Sequence, residues 1–234
     1  MAQEVLYKQT KTAFNVLATA LCKGKGTNNT AGSQVIQSAD DDRFVLADFN
    51  SLITKSKRIN SSWSGGTPIG GVKSGITDLL VSPEMVEQLR AMAYNPINTV
   101  EAPYSGALKD SLPAPESLRE QLYSAAGLPA FYGINIMEIN QLGVDQLFNK
   151  LFAAIASSEG APSFTQGSEE ILIGIDRTKD ALIRPTVIGE GSPSEFQVLV
   201  DDQFSVRQNK IGYYGKVEEG RSCINDRALI GLIV

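Results

Sequence analysis

Several clusters in this chain carry reactive or ligand-binding side chains. The run Gly66-Thr67-Pro68-Ile69-Gly70-Gly71-Val72-Lys73-Ser74 contains the glycines, the lysine and the hydroxyl of a phosphate-binding loop. Such a loop needs its lysine directly after the second glycine of G-x-x-x-x-G, so that the ammonium reaches phosphates cradled by backbone N–H groups. Val72 intervenes after Gly71 and Pro68 interrupts the loop, so a plain connection is the better reading. Asp40, Asp41 and Asp42 invite a hard cation. Consecutive carboxylates at a helix start diverge around the axis, unlike the alternating ligands of a calcium loop, and capping accounts for them better. Glu169-Glu170 and Glu218-Glu219 hold the carboxylates of an acid–base dyad. Adjacent strand residues point to opposite faces, so neither pair converges on one substrate. Trp63 falls in a Gly/Ser-rich stretch and is expected to fold onto the body. Asn28 and Asn60 match the glycosylation acceptor pattern, which means little without secretion.

Histidine is absent. Ser-His-Asp and Cys-His nucleophile systems and His-ligated zinc are thereby excluded. A carboxylate, lysine or tyrosine could still move protons. Cys22 and Cys223 have no metal or redox spacing, which fits a reducing compartment. The residues therefore nominate no catalytic group, no cofactor site and no metal site. A net charge of −5 argues against tight, non-specific binding to phosphate backbones, which needs a Lys/Arg surplus on the contacting face. If nucleic acid is a partner, it is enclosed rather than gripped.

Hydrophobic periodicity outlines the helices and strands that carry these groups. A length of 234 residues with 42% hydrophobic and 20% charged residues is globular and sufficient for a sizeable core. No apolar run is long enough to cross a bilayer, and the N-terminal segment lacks the apolar stretch of a secretory signal. Phe14, Leu17, Ala18 and Leu21 predict a helix over residues 10–22, ended by Gly24 and Gly26. A second helix is predicted from Asp41 to Lys57, with Leu46, Phe49 and Ile53 on one face and Lys55, Lys57 and Arg58 around its last turn. Residues 60–76 read as a loop. Leu79-Leu80-Val81 then predicts a buried strand, Ser82 an N-cap, and Pro83 the first residue of a helix through about Ala93. The proline-rich stretch 95–115 reads as surface chain, with a helix from Pro115 to about Ala126. A turn and strand carrying Ile134, Ile136 and Ile139 follow, and then a helix carrying Leu147, Phe148, Leu151, Phe152 and Ile155. In the C-terminal third, Phe196, Val198 and Val200 alternate on one strand, and Ile211, Tyr213 and Val217 on the next. Helices and strands are interspersed without strict βαβ alternation, which points to an α+β fold.

Three C-terminal stretches carry a resemblance: IGIDRTKDALIRP (173–185), DDQFSVRQNKIGYYGKVEEGR (201–221) and the closing ALIGLIV (228–234). With LLVSPEMVEQLR (79–90), GINIMEINQLG (133–143) and the paired helices of residues 10–58, their order resembles tailed-phage major capsid proteins of the HK97 type. The resemblance implies an HK97-like capsid fold, with a peripheral domain of spine helix plus sheet and an axial domain. It assigns residues 1–75 and 181–234 to the peripheral-like part, 76–180 to the axial-like part, and Asp41–Lys57 to the spine helix. It also implies a non-enzymatic structural subunit of a virion. Its partners would be copies of itself, in pentamer and hexamer rings closing into an icosahedral shell around double-stranded DNA that is enclosed without specific binding. Scaffolding, portal and decoration proteins are further partners of that family; a membrane is not. The location implied is the virion capsid, assembled in the host cytoplasm. Only about nine residues precede the first expected helix, too few at about 3.3 Å each for the family's N-terminal arm and extended hairpin, so both are expected to be absent. An encapsulin-like nanocompartment subunit is the alternative of the same fold. A carboxylate- or lysine-dependent cytosolic enzyme is the alternative of another class.

Charges crowd the strand ends of the C-terminal third. Solvation of strand edges would account for any one of them, but their order within the capsid-like pattern makes them candidate subunit contacts. They are Asp176, Arg177, Arg184, Asp201, Asp202 and Arg207, followed by Lys210, Glu218, Glu219, Arg221 and Arg227. Charged rims fix register and suppress wrong partners even where they add little affinity.

Overall fold

The computed structural model describes residues 2–26, 30–38, 43–63, 75–94, 130, 131, 133–160, 162–187, 196–201 and 212–234. Among them the chain runs α1 (Ala2–Lys23), β1 (Val35–Gln37), α2 (Leu46–Trp63), β2 (Asp78–Val81), α3 (Pro83–Tyr94), β3 (Ala130–Phe131) and β4 (Ile134–Glu138). It continues through α4 (Leu147–Glu159), β5 (Ile171–Ile175), β6 (Leu182–Ile183), β7 (Phe196–Asp201), β8 (Gly212–Val217), β9 (Ser222–Cys223), a 3-10 turn (Asp226–Ala228) and β10 (Leu229–Ile233).

Every residue of β10 is buried, as are the first four of β5. Such near-continuous apolar strands need cover on both faces. Both faces have it. A six-stranded mixed sheet in the order β1-β10-β5-β2-β4-β3 lies between two helical layers. Leu172, Ile230 and Leu232 face Phe49, Leu52 and Ile59 of α2 and Met85, Val86 and Leu89 of α3. Ile171, Ile173, Leu229 and Ile233 face Phe14, Leu17 and Leu21 of α1 and Phe148 and Phe152 of α4. The rings of Phe14 and Phe148 stack at 4.2 Å, tying α1 to α4. Gly174 keeps the β5–β10 pairing close, because a Cβ there would lie 2.9 Å from both Ile230 and Ile76.

The pairings β1–β10 and β2–β4 are parallel, and β10–β5, β5–β2 and β4–β3 are antiparallel. The mixed α and β content agrees with the sequence reading. The sheet takes β1 and β10 from the segments expected to be peripheral-like and β2, β3, β4 and β5 from the axial-like segment, so one sheet crosses both expected boundaries.

The Ser82–Pro83 step behaves as expected. Pro83 opens α3, and the Ser82 hydroxyl accepts a hydrogen bond from the Met85 N–H at 3.1 Å. Gly24 ends α1 as predicted, its N–H donating to the Ala20 carbonyl.

Three expectations are corrected. Helix α1 begins at Ala2, not near residue 10, so the residues expected to precede it are themselves helical. The periodicity hid this because Leu6 and Tyr7 are exposed. Helix α2 runs from Leu46 to Trp63, not from Asp41 to Lys57, and carries no basic residue in its last turn. Buried Asp48 secures its start instead, accepting from the Val45 N–H and from the Ser38 hydroxyl. Trp63 closes that helix and does not sit in a loop. Asp40–Asp42, the glycine-rich stretch to Ser74 and the predicted helix from Pro115 lie outside the described residues.

Candidate interaction surface

After β5 the chain leaves the sheet and forms a two-stranded antiparallel ribbon. Leu182 pairs with Cys223, Ile183 with Ser222 and Thr186 with Glu219. Farther out, β7 and β8 pair from Phe196 opposite Val217 to Asp201 opposite Gly212. Among the described residues the returning arm is continuous from Gly212 to Cys223. Residues 212–223 of the returning arm span about 40 Å if fully extended.

The strands form for ordinary reasons: Val, Phe and Tyr suit a pleated backbone, and in-register pairs such as Val200–Tyr213 and Leu199–Tyr214 attract one another. What the sequence did not reveal is their exposure. Val198 and Val200 lie on one face with Tyr213, and Leu199 lies on the other with Tyr214. All five are more than half exposed, from 54% to 58%. The alternation anticipated one covered face; the ribbon instead presents apolar side chains to water on both. A detectable signal was the run Val198-Leu199-Val200 opposite Tyr213-Tyr214, apolar at both parities.

The root of the ribbon holds three of the predicted charges together. Glu219 accepts from Arg184 Nε at 2.7 Å and from Arg221 Nη2 at 2.8 Å. Arg221 Nε also donates to the Gln9 carbonyl of α1 at 3.2 Å. The side chains of Glu219 and Arg221 are each only 14% exposed, so water screens this contact less than a surface pair.

The remaining predicted residues are dispersed. Asp176 is buried behind β5, where its carboxylate accepts from the Thr178 N–H and hydroxyl and faces Lys179 at 3.5 Å. Exposed Arg177 lies 3.6 Å from Asp78. Glu218 pairs with Lys216, and that contact raises the lysine pKa. Arg227 lies in the 3-10 turn, with its N–H on Asn225 Oδ1. Asp201 ends β7 opposite Gly212. Asp202, Arg207 and Lys210 lie outside the described residues.

The acidic pairs diverge, as their adjacency predicts. Glu169 accepts from the Thr165 N–H and from Gln37. Glu170 is buried and accepts from the Ser82 hydroxyl at 2.5 Å; burial pushes its pKa up, with Ser82 opposing and Glu84 adding to the rise. Among the described residues no group of three or more acidic or cysteine side chains could hold a metal ion. None of their helices is long and apolar enough to cross a membrane. Burial and Glu159 push the Cys22 thiol up to about 11; Cys223 is also raised, by burial and Asp226. Neither thiol is activated.

No family model matches the chain, and no curated protein matches it. Among solved structures it is similar to a chain of the holo-SrpI encapsulin complex from Synechococcus elongatus PCC 7942, at 9% identity and a TM-score of 0.47. That alignment covers 99% of this chain, which spans 65% of the length of the encapsulin chain. So distant a likeness assigns the chain to no family.

Proposed function

We propose that this chain is a structural subunit that packs against copies of itself into a closed shell of the HK97-like kind. The observation that carries this reading is the ribbon, apolar on both faces and exposed on both. A two-stranded ribbon alone is marginally stable in water, and a contiguous exposed apolar surface usually marks a contact. Covering such side chains contributes on the order of 1 kcal/mol each before the cost of association. A second copy is the occupant this surface fits, because the order of the C-terminal motifs resembles proteins that tile. The long helix α2 lying against β10 is consistent with the spine-helix role that the resemblance implies. A head-to-tail contact that closes on itself yields rings, and rings with further contacts yield shells.

The content of such a shell separates the two versions of the reading. A tailed-phage subunit would enclose double-stranded DNA; an encapsulin-like subunit would enclose protein. The negative net charge favours enclosure over gripping in the first case.

Electron microscopy with light scattering on the full chain, concentrated stepwise, tests the proposal. Closed particles of uniform size are expected, and nuclease or protease treatment after opening them identifies the cargo. A strictly monomeric chain at every concentration would contradict it.

A further inference from the structure

We propose that Glu219, clamped between Arg184 and Arg221, positions the ribbon by fixing the direction in which it leaves the body. The inference rests on the reading that the ribbon meets another copy, but the clamp itself is a property of one chain. Arg184 follows the last residue of β6 on the outgoing arm, and Glu219 and Arg221 belong to the returning arm. The carboxylate therefore ties the two arms where Thr186 pairs with Glu219. Arg221 then ties both arms to α1 through the Gln9 carbonyl. A carboxylate holding two guanidinium groups is stronger and more directional than neutral hydrogen bonds. The fork geometry allows Arg221 to use Nη2 on Glu219 and Nε on Gln9 together, which a lysine could not do.

Leverage makes this small contact matter. From Glu219 to Gly212 the arm extends about 23 Å. A tilt of about 15° at the root moves its far end about 6 Å, beyond the roughly 4.0–4.5 Å at which apolar side chains touch. A ribbon free to tilt would keep its own pairing and its apolar residues, yet miss the surface it packs on. The clamp is a positioning device and not itself a contact with the neighbour.

Pulsed electron-spin distance measurement tests it on the dilute, monomeric full chain. Spin labels go on Lys8→Cys in α1 and Lys216→Cys in β8, in a Cys223→Ser background; Cys22 is fully buried and stays unlabelled. The parent chain is expected to give one narrow distance. Glu219→Gln and, separately, Arg221→Ala are expected to lose that narrow peak while the thermal midpoint of the body stays near the parent's. An unchanged narrow peak in both variants would overturn the clamp, as would both variants unfolding. A broadened peak in the variants, from a parent chain that never assembles at high concentration, would uphold the clamp and remove the shell reading.

Discussion

The sheet body and the ribbon are built from similar apolar strands but treat them oppositely. In β5 and β10 each apolar side chain finds a helix of the same chain above or below it. In β7 and β8, Val198, Leu199, Val200, Tyr213 and Tyr214 stand in water at more than half exposure. The central strands β5 and β10 are covered within one chain, whereas the ribbon strands have apolar surface left over on both faces. Stability and assembly are therefore expected to reside in different residues.

The largest predicted effect lies in the body. Phe152→Ala, at a fully buried ring packed edge-on to Phe164 at 5.0 Å, should cost about 3–5 kcal/mol of unfolding free energy in urea titrations. Tyr213→Ala in the ribbon should cost under about 1 kcal/mol in the same titration of the monomer. Similar losses would erase the distinction between the two regions. Gly174→Ala comes next, at about 1–3 kcal/mol, since the added methyl meets Ile230 and Ile76 at 2.9 Å inside a packed sheet.

Ser82→Ala should cost about 0.5–2 kcal/mol through the lost cap of α3. Its neighbour Glu170 sets a pH signature. The folded state raises this carboxyl above its ordinary 4.5, so its stabilising contribution is fully present below that value and is lost as pH rises through the raised pKa. Thermal midpoints of Glu170→Gln should lack this component of the acid-to-neutral slope, and an unaltered slope would assign the pH dependence to other groups. The smallest effect is chemical. A thiol reagent on the native chain should modify Cys223 slowly and leave Cys22 untouched until unfolding, because Cys22 is fully buried with its pKa pushed up to about 11. Equal rates at the two would mean that the α1–α4 layer opens readily.

Much of the body was legible because its signals are local. Ser82-Pro83 marks a helix start through cap geometry alone, and Ile134 and Ile136 alternate into the core as predicted. The start of α1 was hidden because Leu6 and Tyr7 are exposed and so do not extend the buried stripe of Phe14, Leu17, Ala18 and Leu21. The start of α2 was misplaced because three consecutive aspartates look like a cap, while the residue that performs that task, Asp48, lies inside the first turn. At the candidate site, charge type was readable and partnership was not. Glu219 and Arg221 are close in sequence, but Arg184 lies 35 residues away from Glu219 and reaches it because the two arms pair at β6 and β9. Asp176 looked like a surface charge of the same kind and is committed to Thr178 and Lys179 inside the chain. The exposure of the ribbon is invisible to periodicity, which reports a strand but not what covers it.

Hydrogen–deuterium exchange of the full chain across a wide range of protein concentrations distinguishes a ribbon that packs on another copy from one that stays in water. Amides of residues 196–201 and 212–217 should gain protection as concentration rises, in step with particle formation, while the amides of β5 and β10 are protected throughout. Ribbon amides equally protected at the highest dilution, or still exchanging freely within assembled particles, would contradict packing of the ribbon on another copy.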